Sequence, residues 1–191
     1  MDTTACTWPG DDALMGRYHD AEWGTPVHDD HRQFEFLALE AAQAGLSWRT
    51  VLYKREGYRA QFAGFDPAVV AAYGEAEIAR MMLDRGVVRN RAKLTAAVHN
   101  ASRVLELAAE HGSFSAWLWQ FVDGRPIVNR WTRTDQIPGH TPLSDRVSKA
   151  LKQRGFKFVG TTVVYAHLQA AGFVNDHLVG CPRHPEFPGP C

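Results

Sequence analysis

Apolar residues recur at helical spacing along almost the whole chain. Between residues 91 and 109, Leu94, Ala97, Val98, Ala101, Val104, Leu105 and Ala108 follow an i, i+3, i+4, i+7 rule, which predicts one long helix with a single buried stripe. Phe34, Leu37, Ala41 and Ala44 predict a second helix over 31–44, which Gly45 is placed to stop. Ser47 stands where an N-cap is needed for a helix running towards Phe62. Shorter apolar segments predict helices over 67–72, 75–84 and 113–122. The segment 123–142, DGRPIVNRWTRTDQIPGHTP, is long and rich in breakers, and reads as a surface excursion or a functional loop. Thr141–Pro142 then opens another helix, with Leu143, Val147, Ala150 and Leu151 as its buried stripe. That helix breaks at Gly155, and the pattern resumes from Thr161 to about Gly172. No window alternates strictly enough to predict a pair of strands, so the fold class expected is all-α.

Composition narrows this picture. The chain has 191 residues, 45% of them hydrophobic, enough for one substantial core, so a single domain over 1–191 is expected. No run approaches the ~18 apolar residues that cross a bilayer, and MDTTACTWPGDDA lacks the basic-then-apolar order of a secretory signal. A cytoplasmic protein without a membrane partner is the expectation. The tail 182–191, PRHPEFPGPC, reads as flexible. Cys6, Cys181 and Cys191 are odd in number and scattered, which does not make a disulfide framework and is one short of an all-cysteine iron–sulfur cluster.

Net charge is zero, 21 bases against 21 acids, but its distribution is uneven. Residues 1–30 carry seven acids and one base, Arg17. Residues 146–157 carry five bases (Arg146, Lys149, Lys152, Arg154, Lys157) and no acid. A neutral protein with one basic face can dock on a polyanion there. Directly after that run, Gly155-Phe156-Lys157-Phe158-Val159-Gly160 forms a short hairpin between two helices. Its glycines permit a tight turn and close approach, with Phe156, Phe158 and Val159 expected to anchor it. The N–H groups of Gly160, Thr161 and Thr162 would open the next helix, where anions are favoured, with Lys157 and the threonine hydroxyls as further phosphate contacts. Such a grip positions a protein on DNA without reading sequence. An ordinary glycine-bounded turn has the same pattern.

Two further groups carry chemistry. Cys6 and His19 lie near the start, and His177 and Cys181 have the His-x3-Cys spacing of a zinc half-site. Together they would make a closed Cys2His2 set, structural because no coordination position stays open. Nine histidines make chance groupings common. In the stretch 18–48 lie Tyr18, Trp23, Glu40 and Trp48. Glu40 shares a helix stripe with Phe36 and Gln43, at the edge of the apolar face, where a carboxylate is expensive to bury without a partner. A flat, cationic or hydrogen-donating ligand between aromatic rings would suit it, as would solvent or an arginine.

The strings YHDAEWG (18–24), LEAAQAGLSWRTVLYKRE (39–56), FDP (65–67), RNRAKL (89–94), LSDRVSKALKQRGFKFVGTT (143–162) and GFVNDHLVGC (172–181) together resemble the bacterial 3-methyladenine DNA glycosylases of the constitutive type. The resemblance runs in order over nearly the whole chain. It implies the helix-hairpin-helix glycosylase architecture, with the hairpin motif at about 143–171 and a base pocket between two helical lobes. It implies one structural zinc on Cys6, His19, His177 and Cys181, joining the two ends of the chain. Glu40 falls on the family's acidic, base-recognising and catalytic position, Trp48 on its stacking tryptophan, and Tyr18 and Trp23 on pocket aromatics. Gly45–Leu46 falls where the family pushes against the DNA stack. The implied activity is hydrolytic release of 3-methyladenine from double-stranded alkylated DNA by a monomer, without a lyase step. Met15 departs from the pattern, standing where family members often have tyrosine. Asp176 lies where other glycosylases of the superfamily place a catalytic aspartate; here it reads as a turn or supporting residue. Two rival readings stand beside this one: a DNA-binding module without a pocket, and an enzyme with an open zinc at its reaction centre.

Overall fold

The computed structural model describes residues 6–187. Ten helices occur in that span: α1 (Ala13–Ala21), α2 (Asp30–Gln43), α3 (Trp48–Leu52), α4 (Arg55–Gln61), α5 (Pro67–Val70), α6 (Glu75–Leu83), α7 (Arg91–His111), α8 (Phe114–Trp119), α9 (Pro142–Gln153) and α10 (Thr161–Ala170). Most begin on a side-chain cap that takes up an unpaired N–H group: Asp12 for α1, Asp29 for α2, Ser47 for α3, Asp66 for α5, Asn90 for α7, Ser113 for α8 and Thr141 for α9. α2 is the hub of the packing, touching α3, α7, α8 and α10. Its middle is buried on every side, from Gln33 to Ala42. α7 closes one flank of α2 together with α5, α6 and α8, while α9 and α10 pack as an antiparallel pair on the other.

The helical expectation holds with three departures. The segment after Ser47 is not one helix but two, separated at Tyr53–Lys54. Tyr53 N–H still reaches back four residues to Arg49, whereas Lys54 N–H reaches only three, to Val51. The break turns Arg55 inward, 5% exposed, onto Glu35 and Glu22. Arg32 joins Glu22 and Glu35, Arg59 joins Glu35, and the Phe36 ring lies between the Arg32 and Arg55 guanidiniums at 4.9 and 5.5 Å. Burial alone would raise both carboxyls; the Arg55 guanidinium, with Arg32 and Arg59, holds them below their usual range. This network braces α2 against α1 and α4.

The second departure lies in the segment 123–142. Ile127–Val128 pair in parallel with Val174–Asn175, Ile127 opposite Val174. Each strand is two residues long, too short to show an alternating pattern. Val179 N–H also donates to Trp131 O at 2.9 Å. The segment is therefore laced to the C-terminal stretch and is not a free excursion. Third, the tail expected to be flexible is packed over its described part. His184 is 2% exposed and donates from Nε2 to Asn129 O at 2.9 Å, and Arg130 pairs with Glu186. Residues 188–191 lie outside the described residues.

The N-terminal and C-terminal halves meet backbone to backbone. Gly24 N–H donates to Gln169 O at 3.0 Å and Val27 N–H to Ala171 O at 3.1 Å. Gly172, at φ +72°, lies so close to Thr25–Pro26 that a Cβ there would stand 2.3 Å from Pro26 N. Gly172→Ala should therefore cost at least about 2 kcal/mol, lowering the melting midpoint by roughly 4–8 °C. Gly139→Ala, where a Cβ meets nothing within 4 Å, should change it by no more than about 0.5 kcal/mol. Thermal unfolding of the two variants checks the contrast.

Candidate base pocket and metal centre

A cavity of about 240 Å³ opens where α1, α2, α3 and α10 converge, lined by Trp8, Tyr18, Trp23, Glu40, Gln43, Trp48, Thr134, Ile137, Ala166 and Gln169. All four residues singled out as pocket groups, Tyr18, Trp23, Glu40 and Trp48, are on its wall. Tyr18 and Trp48 stand with ring centroids 5.0 Å apart and planes tilted by 47°. Trp8 packs edge-on against Trp23 at 5.3 Å and Tyr18 at 6.3 Å. Met15 is buried just behind, 7% exposed.

Glu40 projects from the last turns of α2. It is 4% exposed, and no donor meets its carboxylate among the described residues. Burial alone pushes its carboxyl up to about 8. Glu22 and Glu35 show the opposite case, carboxylates that burial would raise but arginines hold down. Glu40 is thus a buried acceptor whose partner has to come from outside the protein. Tyr18, fully within the wall, has its phenol raised well above the usual value by burial, with Glu40 acting in the same direction.

The rim was only partly legible from sequence. Gly45 takes the positive φ of +79° that its C-terminal position predicts. Leu46, 40% exposed, follows it, with the turn held by Gln43 Nε2 donating to Leu46 O at 3.0 Å. Lys93 Nζ donates to Ala42 O at 2.8 Å and Ala44 O at 2.5 Å, satisfying the last carbonyls of α2 beneath that turn. Trp8, Thr134, Ile137, Ala166 and Gln169 were missed. Trp8 sits in a segment without periodicity, and Thr134 and Ile137 come from the stretch read as an excursion. Gln169 had a usable signal, a polar side chain that, with His167, interrupts the apolar run Val163–Ala171.

The hairpin joins α9 to α10 as expected, with one change. Gly155 has φ +84°, Phe156 and Val159 are buried, and Asn100 clamps Lys157 by accepting from its N–H at 2.8 Å and donating to its carbonyl at 2.9 Å. Phe158 does not anchor the hairpin. It has φ +55° and turns outward, 39% exposed. Gly160 starts α10 with no side-chain cap, so the first N–H groups of that helix remain open. Lys157 and Thr162 are exposed. Thr161 is less available, since its hydroxyl donates to Asp145 Oδ1 at 2.5 Å and lies 2.9 Å from Ser144 Oγ.

Behind the pocket, Cys6, His19, His177 and Cys181 converge, with one ligand atom of each inside a common 4.8 Å. Tetrahedral zinc with Zn–S near 2.3 Å and Zn–N near 2.05 Å puts sulfur and nitrogen roughly 3.6 Å apart. The separations are 3.8 Å for Cys6 Sγ to His177 Nδ1, and 3.5 Å for Cys181 Sγ to both His177 Nδ1 and His19 Nε2. The far nitrogen of each ring is also occupied. His177 Nε2 donates to Trp23 O at 2.9 Å and His19 Nδ1 to Asp20 Oδ1 at 2.7 Å, leaving the inward nitrogens as bare lone pairs. Burial lowers His177 to about 4, keeping it neutral, and pushes the Cys6 thiol up to about 12. The four residues therefore fit a soft divalent cation. They hold a closed donor set, apart from the cavity wall.

Asp176 is fully buried and saturated. Its Oδ1 accepts from Asn129 Nδ2 and Trp131 Nε1, both at 2.7 Å. Its Oδ2 accepts from the Tyr165 hydroxyl at 2.5 Å and Gln169 Nε2 at 2.7 Å. It lines no part of the cavity and joins the 123–142 segment to α10.

Known proteins of the same shape match this arrangement. The methyladenine glycosylase family model matches residues 8–184. DNA-3-methyladenine glycosylase 1 of Escherichia coli (strain K12) is 48% identical over 180 residues, covering 94% of this chain and 96% of that protein. The DNA-3-methyladenine glycosylase of Haemophilus influenzae is 46% identical over 180 residues, 94% of this chain and 97% of its own. The solved 3-methyladenine DNA glycosylase I of Staphylococcus aureus, a structure determined for its recognition of 3-methyladenine, superposes with a TM-score of 0.92 at 37% identity, over 97% of this chain and 98% of that one. With a family match running from Trp8 to His184, and the pocket inside it, the chain belongs to the methyladenine glycosylase family.

Proposed function

We propose that this protein flips 3-methyladenine out of double-stranded DNA and hydrolyses its glycosidic bond, as a monofunctional glycosylase of base excision repair. The observation that carries the reading is Glu40, a buried carboxylate without a protein partner in the wall of an aromatic cavity. The names and coverage of the relatives support the same substrate. An enzyme acting on a base must take it out of the stack. Methylation at N3 makes adenine cationic, which weakens the glycosidic bond and makes the departing base neutral. A cation between Trp48 and Tyr18 also gains from the faces of the rings. Entry of the cation favours loss of the Glu40 proton to solvent, and the resulting carboxylate accepts a hydrogen bond from the base and supplies the compensating charge. With the DNA phosphates it favours the oxocarbenium-like sugar as C1′–N9 breaks, and water then attacks C1′. The saturated coordination of Asp176 leaves it no free lone pair with which to serve as base or nucleophile.

The hairpin would hold the DNA backbone. Gly155 shapes the turn, the open N–H groups of Gly160, Thr161 and Thr162 donate to a phosphate, and Lys157 adds charge. Leu46 would press into the gap left by the extruded base. Cys6, His19, His177 and Cys181 would hold one structural zinc, which supplies cohesion and takes no part in the reaction. The protein would work as a monomer in the bacterial cytoplasm. Among the described residues no helix is long and apolar enough to cross a membrane. A DNA-binding module would need no aromatic cavity, and a catalytic zinc would need a vacant position, so the pocket and the closed ligand set favour the glycosylase.

Three outcomes follow. Glu40→Gln should reduce release of 3-methyladenine from alkylated DNA by a factor of at least about 100, with the helical circular dichroism spectrum and metal content kept; release at the unaltered rate would remove Glu40 from the mechanism. The same substitution should stabilise the free protein in a defined pH window. Below about 4.5 the carboxyl is protonated in both folded and unfolded chains, so the variant gains nothing. Between 4.5 and about 8 only the folded chain keeps the proton, so the unaltered protein loses stability as pH rises and Glu40→Gln does not. The midpoint difference should grow through that window and level off above it. For the metal, Cys181→Ser should lower bound zinc from one per chain and reduce the melting midpoint; a full zinc equivalent retained by that variant would refute the ligand set.

A further inference from the structure

The wall of the cavity opposite α2 contains one polar side chain that the pocket reading leaves without a task. Gln169, in the last turn of α10, lines the cavity, and its backbone carbonyl is already held by Gly24 N–H. Its carboxamide is oriented by chemistry. Asp176 Oδ2 accepts at 2.7 Å, a carboxylate has no hydrogen to give, and the group facing it must be the amide NH2. Asp176 itself is fixed by three other donors and is wholly buried. The amide cannot turn over without setting its oxygen against the carboxylate. Gln169 Oε1 is thereby left open, with no donor meeting it among the described residues.

We propose that Gln169 is a specificity-determining residue, whose Oε1 accepts from the 6-amino group of the extruded purine while Asp176 acts as the positioning residue that fixes the amide. The inference rests on the glycosylase reading above. It divides recognition into two tests made by two helices. Glu40 on α2 favours the positive charge that methylation creates. Gln169 on α10 favours an amino group over an oxo group at position 6, because a 6-oxo purine would set a lone pair against a lone pair. Sites built to hydrogen-bond one group reject the analogue that leaves the acceptor unpaired far more strongly than an apolar wall does. An adenine-type cation brings the charge and two 6-amino hydrogens, one for Glu40 and one for Gln169, whereas a guanine-type cation brings the charge but no hydrogen at position 6.

The experiment compares release of 3-methyladenine and 3-methylguanine from methylated DNA by the zinc-loaded, full-length protein and by Gln169→Leu. The unaltered protein should prefer 3-methyladenine. Gln169→Leu should lower kcat/KM for 3-methyladenine by roughly tenfold or more and leave 3-methylguanine unchanged or raised, so that the preference narrows by at least that factor. Equal losses on both substrates would mark Gln169 as merely structural, and unchanged values would leave it no role; either result overturns the proposal. Asp176→Asn supplies a second arm. An asparagine offers a donor as well as an acceptor, so the Gln169 amide can sit either way round, and the preference should fall in the same direction with zinc content retained. A folded Asp176→Asn protein with full preference would remove Asp176 from the proposal. Failure of the unaltered protein to release 3-methyladenine at all sinks the glycosylase reading itself. Release with intact preference in Gln169→Leu sinks this inference alone.

Discussion

The constraint on which the site depends is the closure of the chain on itself between its first twenty-seven residues and the stretch after α10. Three of the ten residues of the cavity wall, Trp8, Tyr18 and Trp23, come from the N-terminal segment, and two more, Ala166 and Gln169, from α10. Nothing in local helix propensity brings these together. The join is made by the Gly24–Gln169 and Val27–Ala171 backbone bonds, the close approach of Gly172 to Pro26, and the Cys6–His19–His177–Cys181 cluster. A bare cluster of this kind is costly, since a buried thiol with its pKa near 12 and a neutral imidazole satisfy each other poorly. The zinc proposed for these four ligands would turn that local weakness into a clasp.

A second layer of bracing keeps the carboxylates apart in function. Glu35 is as deeply buried as Glu40 and Glu22 is partly so, yet three arginines pair with them. Each guanidinium is spent on structure, and none is within hydrogen-bond reach of Glu40. The result is a braced helix, α2, whose last turn carries one unpartnered, buried carboxyl. Asp176 provides the matching element behind Gln169, where four donors immobilise a carboxylate and through it a stretch of non-helical chain.

Much of this was legible in the sequence, for physical reasons that differ by element. Long helices such as α2 and α7 announce themselves because one face must be apolar at every turn. Glu40 stood out because a carboxylate interrupts such a face. Met15, the departure from the family strings, is buried in the core and lines no part of the cavity. The break at Tyr53–Lys54 was not legible, because its cause is the inward pull of Glu22 and Glu35 on Arg55, a contact between residues 33 and 20 positions apart. The pairing of Ile127–Val128 with Val174–Asn175 was invisible for a similar reason, being only two residues long. Phe158 misled by type: an aromatic residue in a hairpin suggests an anchor, but its left-handed backbone points it outward.

The dimensions of α10 carry a last consequence. Its first residue, Thr161, opens on the hairpin, and its last turn delivers Gln169 to the cavity. Eight residues at 1.5 Å each set these two points roughly 12 Å apart along a rigid rod. Under the proposed function the helix would serve as a ruler between a backbone phosphate and an extruded base. One inserted residue would lengthen it by 1.5 Å and also rotate Gln169 by 100° away from the cavity. Length changes elsewhere, as in the 123–142 segment, leave that gauge intact, so within this fold α10 is the element whose residue count is least free to drift.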